Sequence, residues 1–84
     1  MKTVTLYTTR FCGYCLAAKR LFNSLNVPFQ EIDVSEDDDK REELFTKYNW
    51  RTVPAIFIGE EFMGGYDEVS QLHARGDFLP KINA

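Results

Sequence analysis

KTVTLYTTRFCGYCLAAKRLFNSLNVPFQEIDV, residues 2–34, changes its hydrophobic period twice, and those changes decide the fold. In KTVTLYT (2–8), Val4 and Leu6 alternate with polar neighbours among β-favouring residues, which predicts a strand. From Gly13 the repeat becomes helical: Leu16, Ala17, Leu21, Phe22 and Leu25 share one face, with Lys19, Arg20 and Asn23 opposite. Asn26-Val27-Pro28 ends this helix, because a residue before proline avoids the helical region. FQEIDV (29–34) predicts a second strand. Strand, helix, strand is a βαβ unit, which favours parallel pairing through a right-handed crossover.

Ser35 is the expected N-cap of a second helix reaching about Tyr48, with Glu36, Asp37, Asp38 and Asp39 over a first turn where the dipole favours negative charge. The same acidic run could suggest a calcium loop, but the alternating oxygen ligands and closing glutamate are missing. Leu44, Phe45 and Tyr48 supply the inner face of this helix. AIFI (55–58) predicts a buried strand, Gly59-Glu60-Glu61 a tight turn, and Phe62-Met63 a short return strand. Gly64-Gly65 breaks the hairpin, Tyr66 or Asp67 opens a third helix through Val69, Leu72 and His73, and Gly76 closes it. The expected fold is α/β, a four-stranded mixed sheet flanked by three helices, with residues 1–84 forming one domain.

Eighty-four residues do not divide into two cores, and 44% hydrophobic with 14% aromatic content is enough for one. The net charge is −3 and the ten basic residues are scattered, so no basic stripe is offered to nucleic acid. No apolar run approaches the roughly eighteen residues of a membrane span. Met1–Thr9 lacks the charged-then-apolar pattern of a leader. A cytoplasmic protein without membrane association is expected.

The two cysteines, Cys12 and Cys15, stand at the strand-to-helix junction. A structural bridge across two residues would constrain the unfolded chain very little, and a pair of this spacing in a reducing compartment is more often reactive. Cys12 lies at or before the first helical turn, where unsatisfied N–H groups and the helix dipole stabilise an anion, and Arg10 adds positive charge. These effects lower the pKa of a thiol. A drop from about 8.5 to about 4.5 raises the thiolate fraction at neutral pH only about thirtyfold. Nucleophilicity falls by about forty- to a hundredfold over the same range, so attack alone gains nothing. The benefit appears when the sulfur is the leaving group, which suits thiol–disulfide exchange. Zinc needs four ligands, and beyond the two cysteines the chain adds a single histidine, His73, and carboxylates.

The strand–CGYC–helix start, TVPAIFIGEEFMGGYDE (52–68) and LHARGDF (72–78) together resemble a glutaredoxin of the dithiol class over essentially the whole chain. The resemblance implies a thioredoxin-like fold and a glutathione-dependent thiol–disulfide oxidoreductase, with glutathione as reductant. Its partners would be glutathione and disulfide-bearing or glutathionylated proteins, with ribonucleotide reductase among the electron acceptors. Cys12 would be the nucleophile and Cys15 the resolving thiol. Pro54 would be a cis proline facing them, with Thr52 and Val53 in the glutathione site and the Val53 backbone pairing with the ligand as a short extra strand. Gly65 would admit the ligand closely, while the Tyr66 and Asp67 N–H groups meet its γ-glutamyl carboxylate and the Asp67 side chain its ammonium. Tyr14 would pack along the glutathione, and Arg41, with Arg51 or Arg10, would receive the glycine carboxylate.

Two departures stand out. Three residues before the first cysteine the family usually has lysine; here Thr9 takes that place, with Arg10 one step nearer. Gly13 replaces the proline of most dithiol members. Glutaredoxins without that proline can hold a two-iron two-sulfur cluster between two monomers, through the first cysteine and one glutathione from each. The resemblance therefore leaves a Cys12-ligated, cluster-bound dimer open beside the redox monomer. A redoxin served by thioredoxin reductase is a third reading, against which GG-x-D argues as a glutathione motif.

Overall fold

Val4–Thr8 forms strand β1, Gly13–Ser24 helix α1 and Phe29–Asp33 strand β2, in a computed structural model describing residues 2–84. Asp38–Tyr48 follows as α2, Ala55–Ile58 as β3, Glu61–Gly64 as β4, Tyr66–Ala74 as α3 and Phe78–Asn83 as α4. The sheet order is β2-β1-β3-β4. β1 and β2 run parallel from Val4 opposite Phe29 to Thr8 opposite Asp33. β3 is antiparallel to β1 and to β4, with a register shift between Ile56 and Phe57. The mixed sheet is thus the expected one.

Period-two alternation sends β1 and β3 side chains to opposite faces. Val4, Leu6, Ile56 and Ile58 meet Ala18, Phe22, Val69, Phe78 and Ile82, so α1, α3 and α4 cover this side. Phe22 stacks on Phe78 with ring centroids 5.6 Å apart. On the other face Ala55 and Phe57 meet Leu44 of α2, joined by Tyr7, Trp50 and Phe62. Among the described residues no helix is long and apolar enough to cross a membrane.

The first helix stops where proline suggested, by a different device. Asn26 is left-handed at φ 57°, its N–H bonds the Asn23 carbonyl at 3.1 Å, and the Val27 N–H bonds that of Phe22 at 2.9 Å. This is a Schellman closure. The Asp77 N–H repeats it on the Leu72 carbonyl at the end of α3, with Gly76 at φ 79°.

Three expectations are corrected. α2 starts at Asp38, not Ser35: Asp37 is the N-cap, its side chain accepting from the Lys40 N–H at 3.0 Å. Ser35 turns the preceding loop instead, donating its N–H to Asp33 Oδ1 at 2.8 Å and accepting the Arg10 N–H on its hydroxyl at 2.9 Å. Glu61 already belongs to β4, leaving Gly59 and Glu60 as the turn. A fourth helix, α4, lies beyond Gly76; its Pro80 sits in the first turn, where a missing N–H costs no helical bond.

Candidate active site

Residues 9–11 lead from the end of β1 to the N-terminus of α1, and Cys12 caps that helix. Its backbone is extended (φ −128°, ψ 107°), and its Sγ accepts from the Cys15 N–H at 3.1 Å. The two cysteines are joined as a disulfide with Cα atoms 5.2 Å apart. Cys12 is half-buried, whereas Cys15 is 2% exposed. A reagent from solution therefore meets Cys12 first. No acidic residue occupies the first turn of α1, so no carboxylate opposes an anion on the capping sulfur.

The loop between α2 and β3 returns to this sulfur. The Val53–Pro54 bond is cis, as the resemblance implied, and the Val53 carbonyl oxygen lies 3.5 Å from Cys12 Sγ. Among the described residues, the Val53 N–H donates to no main-chain carbonyl. Thr52, Val53 and Pro54 border a cleft of about 340 Å³, which the start of α3 (Gly65, Tyr66 and Asp67) and Tyr14 also line. This is within the roughly 300–1,000 Å³ of small-molecule sites. Tyr14, 64% exposed, stacks on Tyr66 with ring centroids 6.3 Å apart.

The start of α3 is built for close approach. Gly65 is the N-cap and donates its N–H to Glu68 Oε1 at 2.8 Å, half of a capping box that a glycine cannot reciprocate. The first-turn N–H groups of Tyr66 and Asp67 keep no intrahelical acceptor. Gly64 at φ 96° makes the turn into the helix, and a Cβ there would meet Glu68 Cγ at 2.9 Å. Unlike α1, this helix carries two carboxylates in its first turn, Asp67 and Glu68. The cleft thus offers free N–H donors and negative side chains within one turn, a combination matched by a zwitterionic α-amino acid group.

The arginines sit elsewhere. Arg10 Nη2 is 2.6 Å from Glu36 Oε1, on the acidic approach to α2. Beside it, hydrogen bonds from the Ser35 hydroxyl and N–H hold the Asp33 carboxyl below its ordinary range. Arg41 shares a separate depression with Asp38, Glu42, Phe45 and Arg51, the Arg51 guanidinium lying 3.9 Å from the Phe45 ring centre. Thus Cys12, Tyr14, Thr52, Val53, Pro54, Gly65, Tyr66 and Asp67 converge, while Arg10 and Arg41 lie outside the cleft lining. Two lining residues were not anticipated, Trp50 and Glu68. The Glu68 signal was available as a glutamate three residues after an N-cap, but glycine in the cap hid the motif.

Gly13 is the first residue of α1, and a Cβ on it would meet nothing within 4 Å. A side chain at that position would therefore start in open space. A two-iron two-sulfur cluster takes four thiolates. One chain supplies Cys12 and the buried Cys15, and among the described residues no three of His, Cys, Asp and Glu are grouped to hold a metal ion. One chain does not supply four thiolates, so only the dimer that the resemblance left open, with Cys12 and one glutathione from each chain, would reach that count.

The glutaredoxin family model matches residues 4–63. Glutaredoxin 3 of Escherichia coli strain K12 is 41% identical over 82 residues, covering 98% of this chain and 99% of its own. A glutaredoxin of Pseudomonas aeruginosa is 42% identical over 84 residues, covering all of both. Among solved structures, a buckwheat glutaredoxin–glutathione complex aligns with a TM-score of 0.91 at 31% identity, over 95% of this chain and 76% of that one. The sheet and its flanking helices are the thioredoxin-like fold of these proteins.

Proposed function

Because this chain belongs to the glutaredoxin family, a family of thiol–disulfide oxidoreductases, we propose that it reduces protein disulfides and glutathione mixed disulfides at the expense of glutathione. One observation carries this reading: the half-buried capping sulfur lies against the Val53 carbonyl, which borders a cleft ending at free helix N–H groups. The complex of the buckwheat relative with glutathione supports it.

The Cys12 thiolate attacks the glutathionyl sulfur of a mixed disulfide. The old S–S bond breaks, a Cys12–glutathione disulfide forms, and the substrate thiolate leaves and takes up a proton. A second glutathione thiolate attacks the glutathionyl sulfur, giving glutathione disulfide and releasing Cys12. The Cys15 N–H, already bonded to Cys12 Sγ, stabilises the departing thiolate. With a protein disulfide, Cys15 attacks the Cys12 sulfur of the mixed intermediate, leaving the Cys12–Cys15 disulfide and a reduced substrate. Two glutathiones then supply the two electrons that reopen it. The exposed Phe11 and Leu16 place apolar surface beside Cys12 where a protein substrate can rest.

Within the cleft, the Val53 main chain pairs with the ligand backbone, the Tyr66 and Asp67 N–H groups hold the γ-glutamyl carboxylate, and the Asp67 carboxylate holds the ammonium. A glutathione-coupled assay on a small mixed disulfide tests the assignment. Cys12→Ser falls to background, while Cys15→Ser retains deglutathionylation and loses protein-disulfide reduction. Activity surviving in Cys12→Ser, or reduction by thioredoxin reductase but not by glutathione, overturns the proposal.

A further inference from the structure

The two backbone runs that border the cleft are far apart in sequence, and one side chain touches both. Trp50 follows Asn49, whose left-handed backbone (φ 54°, ψ 39°) ends α2. The Trp50 N–H closes back on the Leu44 carbonyl at 3.4 Å. Its indole Nε1–H then donates to the Pro54 carbonyl at 3.3 Å. The same edge of the indole faces Gly65: a Cβ there would stand 2.9 Å from Trp50 Cζ2, two bonds from Nε1 and inside any tolerable contact, and 3.4 Å from the Pro54 oxygen. Phe62 backs the ring edge-on, with centroids 5.3 Å apart.

From this juxtaposition we propose that Trp50 is a positioning residue, a gauge block that sets the separation between the Pro54 main chain and the Gly65 main chain. The idea rests on the glutathione reading of the cleft and deepens it. The hydrogen bond ties this edge of the indole to Pro54, and the neighbouring Cζ2 holds the Gly65 main chain at its contact distance. A ligand spanning from Val53 to the start of α3 meets both main-chain runs at the spacing that this indole edge sets. The absence of a side chain at residue 65 is then a consequence of Trp50 as much as of the ligand. Residue 50 belongs to binding, not to the exchange of sulfur bonds, which occurs at Cys12.

The test is steady-state kinetics on a glutathione–β-mercaptoethanol mixed disulfide, set against a peptide disulfide reduced with dithiothreitol in place of glutathione. Trp50→Phe keeps an apolar ring and loses the indole N–H. It should raise KM for the glutathionyl substrate about three- to tenfold, the worth of one ordinary hydrogen bond, with kcat held within about twofold. The dithiothreitol reaction should not move. Gly65→Ala should raise the same KM more steeply in the wild-type background than in Trp50→Ala, where the obstructing ring is gone; this coupling is one that loss of stability alone does not produce. Circular dichroism melts identify any variant that unfolds, and the kinetics of Trp50→Phe then carry the test if Trp50→Ala does. An unmoved KM in Trp50→Phe, an equal loss with dithiothreitol, or a Gly65→Ala penalty independent of residue 50 overturns the inference. A wild type that never saturates with the glutathionyl substrate overturns the functional reading, and this one with it.

Discussion

Helices α1 and α3 both point their N-termini at the reactive region, yet they are finished in opposite ways. α1 is capped by a sulfur and has no carboxylate in its first turn. α3 is capped by a glycine and has two, Asp67 and Glu68. Each end carries the same unsatisfied N–H groups and the same positive dipole. In α1 that potential is left for one atom, the Cys12 sulfur, which must bear charge as it leaves. In α3 part of it is balanced beforehand, so a bare anion is a poor match and an anion carrying its own ammonium is a good one. Identical backbone physics thus yields a chemical end and a recognition end, and the difference is written in first-turn side chains.

Outside the two cysteines, the largest expected effect is at the recognition end. Asp67→Asn keeps the shape and removes the charge that an ammonium needs. KM for a glutathionyl substrate should rise about ten- to a hundredfold, since a charged hydrogen bond is worth about 1.5–3 kcal/mol, while kcat stays put. A KM that does not move would erase the contrast. Glu68→Ala should lower stability by about 0.5–2 kcal/mol in urea denaturation, because the Gly65 N–H loses its acceptor. Placing an acid where α1 has none sharpens the comparison from the other side. Gly13→Asp should stabilise the fold by about 0.3–1 kcal/mol through the dipole and yet slow departure of the Cys12 thiolate about two- to fivefold. Gains in both stability and rate would break it.

The smallest effect lies in the strand that delivers Cys12. Buried Thr8 donates its hydroxyl to Glu31 Oε2 at 2.8 Å, and Lys19 pairs with the same oxygen at 3.1 Å. The Thr8 hydrogen bond holds the Glu31 carboxyl below its ordinary value, against a burial effect that raises it. A depressed carboxylate pKa contributes stability that is present above the unfolded value, and it is lost as pH falls through the folded value. Glu31→Gln should therefore flatten the acid limb of the stability profile. Its cost at neutral pH should be no more than about 0.5 kcal/mol, since more than a third of the side chain is in solvent. An unchanged acid limb would remove Glu31 from that account.

Most of the site was legible because its parts sit at changes of period. The switch at Gly13 placed Cys12 on a helix start, and Gly64-Gly65 before Val69 and Leu72 placed Tyr66 and Asp67 on another. The cis state of Pro54 came from likeness, since an X–Pro bond alone favours trans. What stayed hidden depended on choices among equals. Ser35, Asp37 and Asp38 all suit an N-cap, and in the fold Asp37 takes the place, its side chain accepting from the Lys40 N–H. Phe78 and Ile82 gave too short a repeat around Pro80 to reveal α4. Arg10 faces Glu36 because an acidic loop, invisible as a neighbour in sequence, lies across from it. Trp50 carries no periodic signal at all; its place follows from the left-handed turn at Asn49.

Trp50 is also the chain's single tryptophan, so indole emission has one source, and that source is set in the cleft wall. Fluorescence of the unmodified protein accordingly reports on the space between Pro54 and Gly65, whereas far-ultraviolet circular dichroism reports on all helices and strands together. A denaturation midpoint that arrives earlier by emission than by dichroism would mark the cleft parting before the fold melts, a local opening read without any attached label.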